Sequence, residues 1–367
     1  MRLFKKNVVK VIFVLKKIIS LCDENIDDMR WNKIIGLMLF SMLLLGSNVC
    51  AQDVHFSQFY ANPLYLNPAL AGSAVCPRLA INYRHQWPSV SGKYTSYAAS
   101  YDQHFNAISG GVGVLFLGDR AASGAINTNA VSLIYSFKAD LTRKVSMRLA
   151  LQATFQQKTL NFDKFTYGDM IDPKYGFVYQ TQENIPRYTR AIADFSAGLV
   201  FYSDNIYGGL AVNHFTQPRE SFFDNGDNDT RLPLKLTAHF GANIKLKARL
   251  KKTKSIGDMS LSPNIIFQFQ NKISGGYAYS TLNYGMYYTC YPMILGLWFR
   301  QGFKNPDALI FLAGVHYDFF KIGYSYDFTI PHADKPNTGG SHEISAQFEL
   351  PCPQKSRRVR HINCPKF

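Results

Sequence analysis

Histidine and acidic residues are the first places to look for metal chemistry. The chain has nine histidines, and none of them forms the HxH or HxxxH pair that a dedicated metal site would use. The acidic run DNGDND (residues 224–229) has the composition of a calcium loop, but Gly226 falls too early for the required order, so a solvated hairpin tip is favoured. Asp169 and Asp172 in GDMIDP could bind a cation, although turn chemistry explains an aspartate before proline equally well.

Hydrolytic chemistry would need a nucleophile, a base and a group that orients the base. Asp102 and His104 share one face of a predicted strand, whereas alternation places His342 and Glu343 on opposite faces. Neither pair forms such a set, and no GxSxG motif is present. We therefore expect neither an enzyme nor a cofactor.

Two basic clusters are the strongest candidates for partner binding. The net charge is +15, but no Lys/Arg-rich helix or nucleic-acid motif accompanies it, so no nucleic-acid partner is expected. Each cluster is either a solvated segment or a docking surface for an acidic periplasmic partner or lipid phosphates. The first cluster comprises Lys245, Lys247, Arg249, Lys251, Lys252 and Lys254, and the second comprises Lys355, Arg357, Arg358 and Arg360.

The stretch Leu232–Ala248 indicates which kind of secondary structure positions these residues. From Lys235 to Lys247 apolar and polar residues alternate strictly, which predicts a strand with one apolar and one polar face. The strand is longer than most strands of globular sheets, and a tilted transmembrane β-strand needs this length and this alternation. We expect the polar line to face the lumen of a barrel.

The same pattern recurs along residues 77–350 and predicts about fourteen strands. The longest connections are all odd-numbered, and most of the even-numbered ones are short, as in outer-membrane barrels with long external loops and short periplasmic turns. A sheet in lipid must close, because an open edge would leave backbone groups unpaired in hydrocarbon. The fold predicted is therefore all-β, a single transmembrane antiparallel barrel with both termini in the periplasm. A large exported β-sandwich is the structural alternative.

The segments that precede and follow the predicted barrel have their own interpretations. Residues 1–51 are interpreted as a leader with a secretory signal, cleaved before Gln52. Residues 52–76 contain two Asn-Pro pairs and no periodicity, which indicates an irregular segment, either a plug or a rim contact. Residues 351–367 form a basic periplasmic tail. Cys352 and Cys364 are predicted to form a disulfide, and a pair of free thiols is the alternative.

The mature start, QDVHFSQFYANPLYLNPALAG, resembles the start of the PorP/SprF family of the Bacteroidetes type IX secretion system. The resemblance continues in YRHQWPSVSGKYTSYAASYDQ, FTYGDMID and GGSHEIS, and in the NCPKF ending, so it spans the mature chain. Val54 departs from the family pattern, in which proline is expected. The motif positions carried over are Phe56, Tyr60, Asn67, Pro68, Ala69, Gly72, Trp87, Asp169, Ser341, His342, Glu343, Ile344 and Ser345.

The resemblance implies a non-enzymatic outer-membrane barrel of the secretion and gliding machinery. Its implied partners are outer-membrane lipid, a secreted surface adhesin and periplasmic, peptidoglycan-linked components. The alternative is a diffusion or uptake channel with the N-terminal segment as its plug.

Overall fold

A computed structural model describes residues 53–74, 76–90, 92–165, 167–172, 174–179, 188–220, 231–246, 259–271, 279–302, 306–330 and 338–352. The strands are β1 (Arg78–Gln86), β2 (Tyr94–Phe105), β3 (Gly110–Ala121), β4 (Ile126–Asp140), β5 (Ser146–Leu160), β6 (Ile171–Asp172), β7 (Gly176–Phe177), β8 (Tyr188–Tyr202), β9 (Ile206–Asn213), β10 (Lys235–Ala242), β11 (Ile244–Leu246), β12 (Met259–Gln270), β13 (Tyr279–Cys290), β14 (Met293–Gly302), β15 (Pro306–Tyr317), β16 (Phe320–Thr329) and β17 (Ser341–Glu349).

All strands except β6 and β7 belong to one closed antiparallel sheet. In the described part of the chain this sheet has fifteen segments, and β10 and β11 are consecutive parts of one strand, so the barrel has fourteen strands. Closure comes from β1, which pairs with β17 from Arg78 opposite Glu349 to Gln86 opposite Ser341. The predicted fold class is confirmed.

The outer face of the barrel is apolar and the inner face is polar. On β4, Leu133 is 63% exposed and Val131 and Tyr135 are also exposed, whereas Ser132 and Ser136 between them are buried. This is the reverse of a soluble sheet packed on a core, and it is the pattern that a lipid environment requires. The alternation read from the sequence therefore decides which face meets the membrane.

The stretch that revealed the pattern forms β10 and β11, the eighth strand of the barrel. Lys235, Thr237 and His239 are buried in the lumen, and Phe240 is exposed on the outer face. The strand is interrupted at Asn243, whose backbone N–H donates to the carbonyl of Asn205 in the turn between β8 and β9.

The two ends of the barrel differ in their connections. The end with long connections, here called the long-loop end, carries residues 161–187, 214–234 and 330–340 between strands. The small hairpin of β6 and β7 lies within the first of these. The other end, the short-turn end, is mostly closed by brief turns, such as residues 203–205 and 291–292.

Helical structure in the described chain is short. The 3-10 turns are Phe59–Ala61, Pro68–Leu70, Asn106–Ile108, Ala122–Gly124, Phe162–Lys164 and Gly168–Met170, and the α-helix is Pro63–Leu66. None of the helices among the described residues has the length and apolarity needed to cross a membrane.

Candidate functional site

Residues 53–74, here called the lumenal segment, lie inside the barrel. Its side chains and backbone contact strands all around the wall, among them β1, β4, β5, β8, β16 and β17. Pro63 and Pro68 each start a helical turn, where proline's missing N–H is not needed. Asn67 caps the second of these turns by accepting from the Ala69 N–H at 2.9 Å. The sequence thus specifies a compact, irregular segment that can fill a lumen.

A buried charged cluster holds the lumenal segment towards the long-loop end. It consists of Arg84, Arg300, Asp327 and Glu343 on the wall and Ser57 on the segment. Arg84 bonds Asp327 at 2.8 Å and Glu343 at 3.2 Å, and Arg300 bonds Asp327 at 3.2 Å. Because two guanidinium groups face two carboxylates, the charges compensate one another away from water.

Glu343 connects this cluster to the backbone of the lumenal segment. Its carboxylate accepts from the N–H of Ser57 at 2.6 Å and from the N–H of Gln58 at 3.1 Å. The Gln58 amide donates to the Glu343 carbonyl at 2.9 Å, and Ser345 contacts the same amide. Charge-assisted bonds of this kind are strong and directional, so they fix the position of the segment.

Aromatic rings fill the middle of the lumen. Phe59 lies 5.0 Å from Trp298 between ring centroids, and Tyr60 lies 5.8 Å from Tyr207 and 6.3 Å from Tyr287. Edge-to-face and tilted pairs at these distances stabilise beyond the area that they bury. The segment is therefore packed against the wall as well as hydrogen-bonded to it.

Towards the short-turn end, the backbone of the segment is held directly. Arg148 donates to the carbonyl of Ala71 at 2.8 Å and to that of Gly72 at 2.6 Å. Asp102 accepts from the Gly72 N–H at 2.8 Å and pairs with Arg78 at 2.9 Å. Gly72 has a φ of +64°, and a Cβ there would lie 3.2 Å from the Cα of His104, so glycine suits both the conformation and the close approach.

The first described residue, Asp53, lies at the long-loop end. It bonds His214 at 3.1 Å, Lys235 at 3.4 Å and Gln270 at 3.3 Å, which flank the ends of β9, β10 and β12. Asp194 accepts from the other nitrogen of His214 at 2.9 Å. Burial alone would lower the pKa of His214, but the charge of Asp53 and the bonds from both carboxylates raise it to about 10.

The two ends of the described chain therefore lie at opposite ends of the barrel. Cys352 follows β17 at the short-turn end, where Leu350 donates to the carbonyl of Pro77. The sequence predicts both termini on one side. That holds for the ends of the sheet, Arg78 and Glu349, but it is wrong for Asp53, because the segment runs the length of the lumen.

The charged cluster contains residue types that are common in active sites, and here they are bonded to one another and to the lumenal segment. The Asp327 and Glu343 carboxylates are bonded to arginines and to the lumenal segment. No group of three or more His, Cys, Asp or Glu side chains is placed to hold a metal among the residues that the structure describes. The arrangement binds the chain's own segment.

Comparison with known proteins identifies the family. The model of the family described as "Type IX secretion system membrane protein PorP/SprF" matches residues 48–348. The chain belongs to the PorP/SprF family. It is thus a type IX secretion system membrane protein with a β-barrel, which places it in the outer membrane. No curated protein sequence matches the chain.

Several solved structures are similar in fold to this PorP/SprF chain. The Ralstonia pickettii toluene transporter TbuX has 10% identity and a TM-score of 0.45, covering 84% of this chain and 97% of its own. The Pseudomonas putida toluene transporter TodX has 9% identity and a TM-score of 0.43, covering 77% and 92%. A Pseudomonas aeruginosa FadL homologue has 13% identity and a TM-score of 0.39, also covering 77% and 92%.

The PorP/SprF motif positions fall into two groups. Most lie in the lumen, either on the lumenal segment or on the inner face of β17, and are buried: Phe56, Tyr60, Asn67, Pro68, Ala69, Gly72, Ser341, Glu343 and Ser345. His342 and Ile344 point outward from β17, Trp87 is half-buried at the long-loop end, and Asp169 is exposed on the long connection. Asp172 accepts from the N–H groups of Lys174 and Tyr175, as turn chemistry requires.

The predicted basic clusters lie almost entirely outside the described residues. Lys245 is described and is exposed at the end of β11, on the short-turn rim. Nothing is described for the remaining members: Lys247, Arg249, Lys251, Lys252, Lys254, Lys355, Arg357, Arg358 and Arg360.

The predicted disulfide between Cys352 and Cys364 is wrong. Cys352 is bonded to Cys76, with their Cα atoms 4.8 Å apart, and Cys364 lies outside the described residues. Closure of the barrel between β1 and β17 brings the flanks of these strands together, although 276 residues separate the two cysteines in sequence.

The predictions made from the sequence do not include several residues that hold the lumenal segment: Asp53, Ser57, Arg84, Asp194, His214, Arg300 and Asp327. A charged residue at an inward position of an alternating strand was the available signal for Arg84, Arg300 and Asp327. For Asp53 and His214, no sequence pattern shows that the start of the segment meets the end of β9.

Proposed function

We propose that this PorP/SprF protein is a non-enzymatic scaffold that docks partners on its two rims. The long-loop rim would hold a secreted surface adhesin, and the short-turn rim would hold peptidoglycan-linked periplasmic components. The observation that supports this best is the lumenal segment, which occupies the barrel from Asp53 to Gly72 and is bonded to the wall along its length. Because the lumen is occupied, partners would bind to surfaces outside it.

A channel with a removable plug is the second candidate. It is favoured by the position of the lumenal segment before the first strand of the barrel, since its departure would leave the order of the strands unchanged. The buried bonds of Glu343 and Asp327 oppose this, since releasing Ser57 and Gln58 would leave charges unpaired in the wall. The Cys76–Cys352 bond also ties the other end of the segment to the rim.

The orientation proposed is the usual one for outer-membrane barrels, with the long loops outside. The mature N-terminus, predicted at Gln52, would then lie at the cell surface, one residue before Asp53. An epitope inserted after Gln52 should be labelled by antibody on intact cells, whereas an epitope after Phe367 should need permeabilised cells. Labelling of both only after permeabilisation would refute this placement.

The basic clusters are proposed to bind the periplasmic partner electrostatically. Replacing Lys251, Lys252 and Lys254 together with Arg357, Arg358 and Arg360 by Gln should reduce co-purification of periplasmic components, more so at low salt. Lys174→Gln, on the long-loop side, is the matched control and should leave co-purification unchanged. Equal recovery from both variants would remove the electrostatic basis of docking.

The experiment that separates scaffold from channel combines partner recovery with conductance. The native protein, crosslinked in cells and purified from outer membranes, should bring down a surface adhesin and a periplasmic component. In a planar bilayer it should conduct no ions. Conductance without a recovered partner would favour the channel. The non-enzymatic assignment predicts that the purified chain leaves lipid, peptide and glycan substrates intact.

A further inference from the structure

The outer wall of the barrel carries a groove near the short-turn end. It has a volume of about 630 Å³, and it runs across β8, β9, β10 and β12. Its floor is at Gly208, which pairs with Phe201 on one side and Phe240 on the other. Because these three positions point outward and the middle one lacks a side chain, two phenyl rings flank a gap. Leu199 and Ile265 extend the apolar lining.

Basic side chains border the same region of the rim. Val145 lines the groove, and Arg143 and Lys144 immediately before it are exposed in the turn between β4 and β5. Lys245, two residues after the interruption of the strand that supplies Phe240, is also exposed. Asp204 is an exposed acid in the adjoining turn.

We propose that this groove binds one phospholipid of the periplasmic leaflet, with an acyl chain between Phe201 and Phe240 and the phosphate near Arg143 and Lys144. The groove has the size of a ligand site, and it opens on a surface that faces hydrocarbon. Juxtamembrane Lys and Arg attract lipid phosphates at the level of the headgroups. An apolar channel ending at a basic rim matches the two parts of a phospholipid. The assignment of the leaflet rests on the proposed orientation.

The test uses the full mature protein, reconstituted in nanodiscs of phosphatidylethanolamine and phosphatidylglycerol, released into detergent and measured by native mass spectrometry. One lipid should remain bound after the surrounding lipids are stripped. Gly208→Leu should lower its retention roughly tenfold, because the new side chain takes the space of about two buried methylene groups. Phe240, whose Cδ2 would lie 3.2 Å from the new Cβ, can move outward into lipid, so the barrel should still form.

The matched control is Ala313→Leu, which adds a side chain to an exposed outward position on β15, away from the groove. It should retain the lipid like the unchanged protein. Ala238→Leu, inside the groove, serves as the second variant if Gly208→Leu does not fold.

The double variant Arg143→Gln and Lys144→Gln should lower retention severalfold, and most for phosphatidylglycerol. Equal retention by Gly208→Leu, Ala238→Leu and Ala313→Leu would overturn the proposal. A second copy of the chain or another membrane protein bound through Phe201 and Phe240 in place of lipid would also overturn it. The orientation can fail separately, since lipid retention in detergent does not depend on it.

Discussion

Charged side chains hold the lumenal segment at both ends of the barrel, but at the long-loop end they form a cluster of two arginines and two carboxylates, whereas at the short-turn end they act beside a close backbone contact and a disulfide. Ser57 and Gln58 meet the carboxylate of Glu343, which is fully buried. Gly72 instead lies against Gly111, and Cys76 is bonded to Cys352. The cluster at the long-loop end is stable because its opposite charges are paired, so removing one charged side chain lowers the free energy of unfolding. The short-turn end also depends on close packing and on a covalent bond, so it is sensitive to changes of volume as well as to loss of the charges of Arg148 and Asp102.

Removing one charge from the cluster at the long-loop end should give the largest loss of stability. Arg84→Met leaves Glu343 without its arginine and Asp327 with Arg300 alone, and breaking a buried pair in this way costs about 3–5 kcal/mol. Guanidinium unfolding of the purified barrel, followed by the fluorescence of the buried Trp298, measures the loss. Arg190→Met, at an exposed position of β8, is the control and should change little. A loss below 1 kcal/mol for Arg84→Met would mean that water reaches the cluster.

The disulfide should give the next largest effect. Cys76→Ser removes a bond that closes a long loop, and such bonds contribute about 2–4 kcal/mol. Unfolding in the absence of reductant should show this loss, and reductant should then have no further effect on the variant. Cys290→Ser, which removes a free cysteine, is the matched control. Should both variants behave alike, the closed sheet already fixes the two flanks without the bond.

Close packing at the short-turn end predicts a smaller loss. A Cβ at Gly111 would lie 2.7 Å from the Cα of Gly72, so Gly111→Ala must displace the lumenal segment, at a cost of about 1–3 kcal/mol. Gly168→Ala, where no atom lies within 4 Å, is the control for the same change. Unfolding of the two variants side by side measures the difference. No difference between them would show that the segment is loose at this end.

The pH dependence of the long-loop end should give the smallest effect. The folded pKa of His214, about 10, is above the unfolded value, so its contribution is complete below pH 6.5 and is lost as pH rises towards 10. Its charged bonds to Asp53 and Asp194 are worth about 1–2 kcal/mol. His214→Gln should therefore be less stable than the native protein at pH 6 and equally stable above pH 10. His342→Gln, on the outer face, is the control, and a constant gap across this range would contradict the role of the charge.

Alternation made much of the wall predictable. The inward positions of Lys235, Thr237 and His239 follow from a period of two, and so do the opposite faces of His342 and Glu343. The strand count and the asymmetry of the connections follow from the same pattern. The location of the lumenal segment does not, because residues 52–76 have no periodicity that could point to a face.

The sequence by itself determined a lipid-facing, closed antiparallel barrel and its family, because both are written in local patterns of residues. Only the tertiary structure decided which distant residues meet. Closure of the sheet brings Cys76 to Cys352 rather than leaving Cys352 for its near neighbour Cys364. The path of the segment through the lumen places Asp53 beside His214 and brings Ser57 to Glu343, 286 residues away. Such contacts depend on how the ring closes and what fills it, and no short stretch of sequence contains that information.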